Sequence, residues 1–502
     1  MTSNKYISVS NNQTIALDDI PVLDYESFME INLGLMDKNP VRHCVNYFGY
    51  PAEGKIKLIC CIADDDLHLI NISSAVIKRG ETLNSFTAKN HNFEKFEREI
   101  HENFGIAFTD HPWLKPARYS FNRADKGSRI ENYPFYSAES PELHEVGVGP
   151  IHAGIIEPGH FRFICNGEQI MHLEIQLGYQ HRGIEQLILQ KQKLLERTTL
   201  AENIAGDTVV GHTTAFVNLW ESLCNYVPDY SLQYARTLAL ELERMAVHTG
   251  DLSGVCTDMA YQLGSAVYGR LRTPLINFFQ EWCGNRLAKG LIRAGGMNYP
   301  FTPDHSERLL EIFEAYLPDF NEISKTLFNL PSALSRMEKT GVVTYEQLLE
   351  IGTVGMSARM NALNRDIRSS HPHDLYGKLE HKPIIKHHGD VYSRVQIRKE
   401  EIKQSMSYIK HLLKEVPEFN KVDEGELIPQ KKKFGISLVE GWRGEICHCA
   451  ITDESGNLVA YKIKDPSFHN WMALAQAVRN NDISDFPICN KSFDLSYSGH
   501  DL

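Results

Sequence analysis

The sequence predicts an α+β protein, in which a small N-terminal α+β domain precedes a large, mainly helical domain with small β elements at its edges. A chain of 502 residues is too long for one ordinary core, which favours two or three domains. Apolar, β-branched runs dominate the first part, whereas long segments of helical periodicity dominate after Gly147. The predicted divisions are a flexible N-terminus at 1–22, the small domain at 23–118, a linker or strap at 119–146 and the large domain at 147–502.

Strand and helix signals both occur in the small domain. Three apolar runs separated by Pro, Gly or Asp-rich turns are typical of strands: "VRHCVNYFGY", "KIKLICCIAD" and "LHLINISSAVIK". Phe93, Phe96, Ile100 and Phe104 recur at helical spacing, which predicts a helix that ends at Gly105. The aperiodic, turn-rich segment that follows the domain is either a plain linker or a strap on a partner surface.

The large domain begins with two predicted strands around an Asn166-Gly167 turn. A helix with an apolar stripe from Leu232 is predicted to end at Gly250, and further helices are predicted at about 261–287, 304–330, 344–351 and 397–415. Near the end, a hairpin about 454–457 precedes the helical segment "HNWMALAQAVRNN". Alternation along the hairpin places Cys447 and Cys449 on one face and His448 on the other, which favours core thiols over a zinc site.

Composition excludes several classes of protein. A formal net charge of −12 gives no basis for nucleic-acid binding. The sequence has no apolar run of the ~18 residues that a membrane span needs and no apolar segment of a secretory signal at its start. We therefore expect a cytosolic protein, or one docked on a membrane through other chains. Because no Gly-x-Gly-x-x-Gly motif follows a strand, any link to NAD(H) is expected to come from other subunits.

Several motifs, in order over about residues 25–502, carry a family resemblance. The segment "FEREIHENFGIAFTDHPWLKPAR" resembles the signature of the C subunit of bacterial complex I. Four later segments resemble the complex I D subunit and the large subunits of energy-converting NiFe hydrogenases: "VGPIHAGIIEPGHFRF", "LGYQHRGIEQL", "GLIRAGG" and "YKIKDPSFHNWMALAQAV". The form "HAGIIEPGHFRF" is closer to the hydrogenase branch that includes formate hydrogenlyase, in which the two domains are likewise often fused.

The resemblance also identifies what this chain has lost. In the hydrogenases, four thiolates from two Cys-x-x-Cys motifs hold nickel and iron, because polarisable anionic sulfur stabilises this soft, redox-active pair. The matching positions here are Ala205 and Thr208 in "NIAGDTVVGH", and Ser496 and Gly499 in "KSFDLSYSGHDL". We therefore expect no NiFe centre, no metal and no other cofactor bound by this chain alone.

The complex I D subunit also lacks those cysteines and binds a quinone head group in the vacated pocket through a tyrosine and a histidine. Here the tyrosine position holds Gly206, and the histidine position holds Glu157 or Pro158, depending on the alignment of the loop. Both residue types are thus replaced, so the terminal acceptor stays open between a quinone and another small oxidant.

The resemblance points to candidate site residues, each with a structural alternative. Glu157 and His160 lie in a Gly/Pro loop and are candidate proton carriers, the alternative being a solvated turn. His181 and Arg182 are expected beside the 4Fe-4S cluster of an adjacent B-type subunit, where a fixed positive charge favours the reduced cluster. The alternative for Arg182 is a pair with a neighbouring carboxylate. His248 is a further candidate there, although a helix C-terminus also favours histidine through its dipole.

Further candidates surround the lost ligand positions. His212 and Asp494 keep their family positions, and Thr208, Ser496 and Asp494 together are a candidate polar wall of the pocket. Asp207 and Thr208 are candidate caps for the helix that restarts after the gap. Glu241 and Glu243 are expected to lie on a solvent-exposed face of their helix. Glu243 is also a weak candidate for proton conduction.

The sequence therefore predicts the large subunit of a membrane-associated oxidoreductase that is complex I-like or hydrogenase-related and lacks a NiFe centre. It would pass electrons from the partner's 4Fe-4S cluster to an acceptor, coupled to proton or sodium translocation. Its expected partners are the B-type subunit, other peripheral subunits and antiporter-like membrane subunits, at the cytoplasmic face of the membrane. The alternatives are a redox-inert structural or energy-coupling subunit, and a hydrogenase with another metal set, which the four missing thiols disfavour.

Overall fold

A computed structural model describes residues 5–37, 39–419 and 427–502. It contains strands and helices in separate regions, so the predicted α+β class is confirmed. The strands are β1 Ile7–Val9, β2 Thr14–Ala16, β3 Val22–Leu23, β4 Arg42–Ala52, β5 Lys55–Asp64, β6 Leu69–Ile77, β7 Thr82–Asn84, β8 Ala107–Thr109, β9 His144–Val148, β10 His160–Asn166, β11 Gln169–Gln176, β12 Ile292–Arg293, β13 Gly296–Met297, β14 Lys433–Glu440, β15 Glu445–Thr452 and β16 Leu458–Lys464.

The helices lie mainly in the second part of the chain. They are α1 Tyr25–Met36, α2 Glu94–Phe104, α3 Ile184–Gln190, α4 Leu194–Ala201, α5 Val209–Leu223, α6 Tyr230–Asp258, α7 Gln262–Cys283, α8 Pro303–Leu327, α9 Pro331–Met337, α10 Tyr345–Ile351, α11 Met356–Arg359, α12 Ile367–Ser370, α13 Val391–Leu412, α14 Ser467–Ala477, α15 Phe486–Phe493 and α16 Tyr497–Asp501.

The small domain is a sheet with α1 and α2 packed against it. Its strands run in the order β1-β6-β5-β4, with β3 parallel to β6 on a branch. The predicted apolar stripe of α2 is buried through Phe93, Phe96 and Ile100. This helix ends as predicted at Gly105, whose φ of 71° is a left-handed conformation that glycine adopts without strain.

The prediction of a flexible N-terminus at 1–22 is wrong for the described residues 5–22. Strand β1 pairs with β6 of the small domain, and β2 pairs with β14 of the large domain. Val9, Ile15 and Ile20 bury their side chains in an apolar core to which both domains contribute, and this burial outweighs the polar composition of the segment. The first strands thus join the two domains.

The start of the large domain also differs from the prediction. Strand β9 crosses the predicted boundary at 147 and forms the edge of the sheet β11-β10-β9. Part of the predicted strap lies on that sheet, since Gln176 Nε2 donates to Ile130 O at 2.6 Å and Tyr136 N donates to Glu174 at 2.7 Å. This part of the strap therefore contacts its own chain.

Helix α6 is the central helix of the large domain and is longer than predicted. Gly250 lies inside it, and a Cβ atom there would come within 2.9 Å of Arg272 Cδ on α7. Glycine at this position thus permits close packing of two helices and does not mark a helix end. The segment after Gly183 forms two short helices, α3 and α4.

The two predicted hairpins are confirmed as β10–β11 and β15–β16. Cys447 and Cys449 pack into the apolar core shared with the small domain, while His448 faces His212 on α5, as the alternation predicted. The turn between β14 and β15, the loop between α4 and α5, the start of α3 and the helices α15 and α16 position the candidate site.

Candidate functional site

Arg182 joins the two loops in which the thiolate ligands have been lost. Its guanidinium donates to Asn203 O at 2.5 Å and to Ile204 O at 2.8 Å, both just before the first pair of positions. It also donates to Ser498 O at 3.1 Å, within the second pair. The two loops, far apart in sequence, therefore meet in space as the family resemblance predicts.

Arg443, in the turn between β14 and β15, joins the same loops from the other side. Its Nη1 and Nη2 atoms bind the two carboxylate oxygens of Asp207 at 2.6 and 2.7 Å. Its Nε donates to Asp494 O at 2.5 Å and its Nη1 to Thr208 Oγ1 at 3.1 Å. Such a bidentate pair fixes the orientation of the guanidinium relative to the carboxylate and also pairs the two charges. A buried guanidinium thus connects the two loops.

The four former ligand positions are buried and occupied by the chain's own packing. Ser496 Oγ accepts a hydrogen bond from Gly499 N at 2.9 Å and so caps α16. A Cβ atom at Gly499 would lie 2.7 Å from the carboxylate of Asp465, so a cysteine there would collide with it. With no thiol at Ala205, Thr208, Ser496 or Gly499, the residues present do not fit a NiFe group.

His212 starts a chain of buried polar groups beside the Gly499 position. Its Nε2 donates to Asp465 Oδ2 at 2.9 Å, and its Nδ1 lies 3.1 Å from His448 Nε2. His448 Nδ1 in turn lies 2.8 Å from the Tyr461 hydroxyl. Burial and the neighbouring His212 hold the pKa of His448 well below its ordinary value. A neutral His448 accepts from Tyr461 and donates to His212, which satisfies each group in the chain.

Glu243 caps α5, in place of the Asp207 or Thr208 that the sequence predicted. Its carboxylate oxygens accept from Val210 N at 2.7 Å and Gly211 N at 3.1 Å. Thr208 occupies the N-cap position, but its side chain makes no hydrogen bond to the first turn of the helix. The side chains of Thr208 and Asp207 both bind Arg443 instead. Burial, with a contribution from the negative charge of Asp207, raises the pKa of Glu243 to about 8.

Glu241 and Glu243 are both buried, so the interpretation of these residues as a solvated face is wrong. The Tyr376 hydroxyl and the Ser405 hydroxyl each donate to the Glu241 carboxylate at 2.5 Å. Arg368 Nη1 lies 3.4 Å from the same carboxylate. Glu241 thus belongs to a buried ionic network on α6, α12 and α13.

This buried network continues from Glu401 at its centre. Glu401 Oε1 lies 2.6 Å from Arg359 Nη1 and 3.0 Å from Arg368 Nη2, while its Oε2 lies 2.8 Å from His248 Nε2. Arg368 also binds Asp366 at 2.7 Å. The three cations next to Glu401 are Arg244, Arg359 and Arg368, and they hold its pKa well below the usual range. Charges buried at this depth require such mutual pairing.

Asp494 links the network to the loops joined by Arg443. Its carboxylate binds Lys491 Nζ at 2.8 Å, and Lys491 Nζ lies 3.8 Å from Asp251 on α6. Asp251 binds Arg398 at 2.9 Å and lies 3.7 Å from His248 Nδ1. Burial, with the neighbouring Asp251 carboxylate, raises the pKa of Asp494 to about 6.

The other predicted residues fall into two groups. Glu157 Oε2 lies 3.5 Å from Ser498 N, beside the second loop, and His181 Nδ1 donates to Asp501 O at 2.7 Å. His160, in contrast, donates to Gly149 O at 3.0 Å and its ring centroid lies 5.2 Å from that of Phe135, so its contacts are to the strand β9 region and the strap. Glu157 and His181 therefore lie at the joined loops, whereas His160 faces away from them.

His248 does not occupy the position that the sequence analysis gave it. It lies inside α6, not at its C-terminus, so the dipole explanation is wrong. Its side chain has no exposed surface and binds Glu401. A buried, paired imidazole offers no face to a neighbouring subunit, and its place is in the ionic network.

Sequence reasoning missed Arg443, Asp465 and the arginines of the ionic network, although it named Glu241, His248 and Asp494 for other roles. One signal was available: the segment "VEGWRGEI" places three charged residues inside an otherwise apolar run, where an exposed turn would be ordinary but buried charges need partners. Their partners are Arg359 on α11 for Glu440, Asp207 before α5 for Arg443, and Lys464 on β16 for Glu445. Only the tertiary fold brings these residues together.

Two further observations concern metal sites and membrane-spanning helices. Within residues 5–37, 39–419 and 427–502, no cluster of three or more His, Cys, Asp or Glu side chains has the arrangement of a metal site. None of the helices in those ranges is both long enough and apolar enough to cross a bilayer.

The two joined loops, with their thiolate positions replaced, are the feature that the resemblance to hydrogenase large subunits predicts. Comparison with known proteins gives matches in the same two groups of proteins. The family model described as "Respiratory-chain NADH dehydrogenase, 49 Kd subunit" matches residues 258–437 and 418–501. The resemblance stated from the motifs is confirmed: the chain is similar to subunits of complex I and of hydrogenases.

Individual relatives come from both branches. The chain is 26% identical to hydrogenase-4 component G of Escherichia coli, over 77% of this chain and 67% of the relative. It is 27% identical to formate hydrogenlyase subunit 5 of the same organism, over 73% and 65%. It is 28% identical to the C/D fusion protein of the NADH-quinone oxidoreductase of Phocaeicola vulgatus, over 73% and 76%. The chain thus spans about two thirds of the length of the two Escherichia coli relatives.

Proposed function

We propose that this chain is the large subunit of a complex I-like, hydrogenase-related oxidoreductase that works without a NiFe centre. In this proposal, electrons pass from a 4Fe-4S cluster in a B-type partner to an acceptor at the joined loops. The observation that carries the proposal is that Arg182 and Arg443 hold the two loops together although none of the four former ligand positions has a thiol.

Arg182 is suited to the electron-transfer role. It is exposed on this chain, yet three backbone carbonyls fix its guanidinium. A fixed positive charge next to a cluster favours the reduced form, because reduction adds negative charge. The three carbonyls add no opposing full charge, while the carboxylates of Glu157 and Asp501 lie near enough to offset part of the guanidinium's field.

The adjacent loop is suited to partner docking. Ile151, Ile155 and Ile156 are 81%, 87% and 56% exposed, and they flank Glu157 in the same loop. Contiguous exposed apolar side chains of this kind mark interaction surfaces. The proposed assembly contains the B-type subunit, other peripheral subunits and antiporter-like membrane subunits at the cytoplasmic face, with proton or sodium translocation as the coupled step.

The buried ionic network supports the coupling part of the proposal. It links Asp494 at the joined loops to His381, which binds Asp366 at 2.9 Å and Tyr408 at 2.9 Å. In a low-dielectric interior, a change of charge at one end shifts the protonation of its neighbours. A charge that arises near Asp494 would therefore be felt along this network.

A redox-inert structural or energy-coupling subunit is the second candidate, and one observation favours it. Asp465 and Arg443 occupy the region of the lost ligands, which leaves the four positions packed by the chain itself. In this alternative, reduction of the partner's cluster moves the loops, and no acceptor enters.

Redox titration of the partner's cluster in the purified complex tests the electron-transfer role of Arg182. At a separation of about 10 Å and an effective dielectric constant of about 20, loss of one charge shifts the potential by about 70 mV. We expect the substitution Arg182→Met to lower the cluster potential by tens of millivolts and to slow turnover. The matched control, Arg182→Lys, keeps the charge and should keep most of the potential.

An unchanged potential in an intact Arg182→Met complex would refute the electron-transfer role. The redox-inert alternative would be favoured by two results together. Arg182→Met would lower the cluster potential, and the wild-type complex would show no turnover with either a quinone or a soluble dye as acceptor.

A further inference from the structure

A pocket lies between the small and large domains. It encloses about 340 Å³ between α2, β11, α10 and α14. Ligand sites for small molecules begin at about this volume. Part of its wall is apolar and aromatic, with Trp113, Leu173, Trp471 and Met472 among the lining residues.

Lys95 carries a positive charge in this pocket and has no direct partner for it in the part of the chain that the structure describes. Its residue is only 8% exposed, and within the described chain neither a hydrogen bond nor an ion pair engages its ammonium group. A buried ammonium without a hydrogen-bonded counter-charge is costly, so proteins rarely keep one without a use.

Among the described residues, the carboxylates that line the pocket make no hydrogen bond or ion pair with Lys95. Glu94 binds Arg98 at 2.7 Å, and Arg98 is itself held by two further backbone carbonyls. Glu174 binds Lys115 at 2.7 Å and accepts from Tyr136 N. The charged and titratable groups around Lys95 are Glu94, Arg98, Arg118, His500 and Asp501.

One polar atom of His469, in the lining, is both buried and without a partner in the described chain. His469 Nε2 donates to Asn92 O at 2.9 Å, which leaves a lone pair on Nδ1. Within the described residues, no donor reaches that Nδ1 atom. The pocket wall therefore combines a free cation, a free hydrogen-bond acceptor and two indole rings.

We propose that this interdomain pocket binds a small organic monoanion, a carboxylate with an aromatic or flat apolar body. Lys95 would hold the carboxylate, and Trp113 and Trp471 would pack against the body. The anion supplies the hydrogen-bonded negative partner that Lys95 lacks, and the apolar wall excludes strongly hydrated inorganic anions. The inference does not rest on the proposed redox function, although Trp471 Nε1 donates to Ser496 O at 3.3 Å and so connects the pocket wall to the joined loops.

The test uses the full-length chain with 2-naphthoate and its neutral analogue 2-naphthamide, measured by ligand-observed NMR and by tryptophan fluorescence. We expect the wild-type protein to bind the carboxylate about tenfold more tightly than the amide, as a charge-assisted hydrogen bond provides. The substitution Lys95→Met keeps the apolar stem and should abolish this preference. Lys78→Met removes an exposed lysine of the same domain and should leave the preference intact.

Two further readouts locate the site and control for folding. Trp113→Ala should weaken both probes alike, because it removes part of the wall and leaves the charge. Lys95→Met should not lower the thermal midpoint of the protein, since it removes a buried, unpaired ammonium. The proposal is overturned if wild-type protein shows no preference for the carboxylate, or if folded Lys95→Met protein retains that preference.

Discussion

Substituting Arg443 by methionine is the perturbation that most directly probes how the two loops are held together. The change removes the bidentate pair with Asp207, at 2.6 and 2.7 Å, and the bond to Asp494 O at 2.5 Å. It also removes the 3.1 Å bond to Thr208 Oγ1. Methionine keeps an unbranched apolar stem, so the loss is mainly one of charge and hydrogen bonds.

The expected cost follows from the exposure of each partner. Breaking a fully buried pair costs about 3–5 kcal/mol, and breaking an exposed pair costs at most about 1 kcal/mol. The Asp207 side chain is 37% exposed whereas that of Arg443 is 4% exposed, so an intermediate value of about 2 kcal/mol applies. The unsatisfied Asp494 carbonyl adds about 1–2 kcal/mol, for a total of about 3–4 kcal/mol.

Urea and thermal unfolding measure this loss. For a cooperative unit of the size of residues 147–502, a loss of about 3–4 kcal/mol lowers the thermal midpoint by about 4–5 °C. A double-mutant cycle with Asp207→Asn should give a coupling free energy of about 1–3 kcal/mol. The control is Arg270→Met, which breaks an ion pair with Asp319 whose side chains are 63% and 44% exposed, and should cost below about 0.5 kcal/mol. If Arg443→Met and Arg270→Met lowered the free energy of unfolding by the same amount, the reasoning would be refuted.

Two other substitutions probe the same region by unfolding. Because the pKa of Glu243 is raised to about 8 in the folded protein, the native state binds its proton more tightly than the unfolded chain, and this group's contribution to stability falls as pH rises from about 5 to about 8. Glu243→Gln should therefore gain stability relative to wild type between these pH values; a pH-independent difference would contradict the raised pKa. Gly499→Ala should cost about 1–3 kcal/mol because its Cβ would collide with Asp465, whereas Gly34→Ala in α1, where a Cβ meets open space, should stabilise by up to about 1 kcal/mol. Similar effects of the two alanine substitutions would show that the Gly499 position has room for a side chain.

Local sequence patterns predicted the elements whose stabilising contacts are local. The stripe of α2 and its end at Gly105, and the hairpins β10–β11 and β15–β16, depend on periodicity and turn residues that the sequence displays. The motifs also predicted the two loops and the loss of their thiols. In the structure, these loops meet at Arg182.

The failures share a physical cause, which is tertiary burial that overrides local composition. The polar segment 5–22 is ordered because a few apolar residues reach a core built from both domains. Gly250 lies inside α6 because α7 packs closely against it, and Glu241 is buried because arginines from α6 and α12 surround it. None of these partners is close in sequence, except Arg244 on the same helix, so no local pattern could have identified them.

Metal analysis of the purified complex tests the central claim most directly. The claim is that the frame of the hydrogenase pocket persists while its thiolates do not, with Arg443 and Asp465 in their region. Nickel and iron should be counted per large subunit in a preparation whose iron content and EPR signal show that the partner's cluster is present. The account predicts iron from the partner's clusters and nickel near zero; stoichiometric nickel in the complex, lost on disruption of the Ala205 and Ser496 loops, would contradict it.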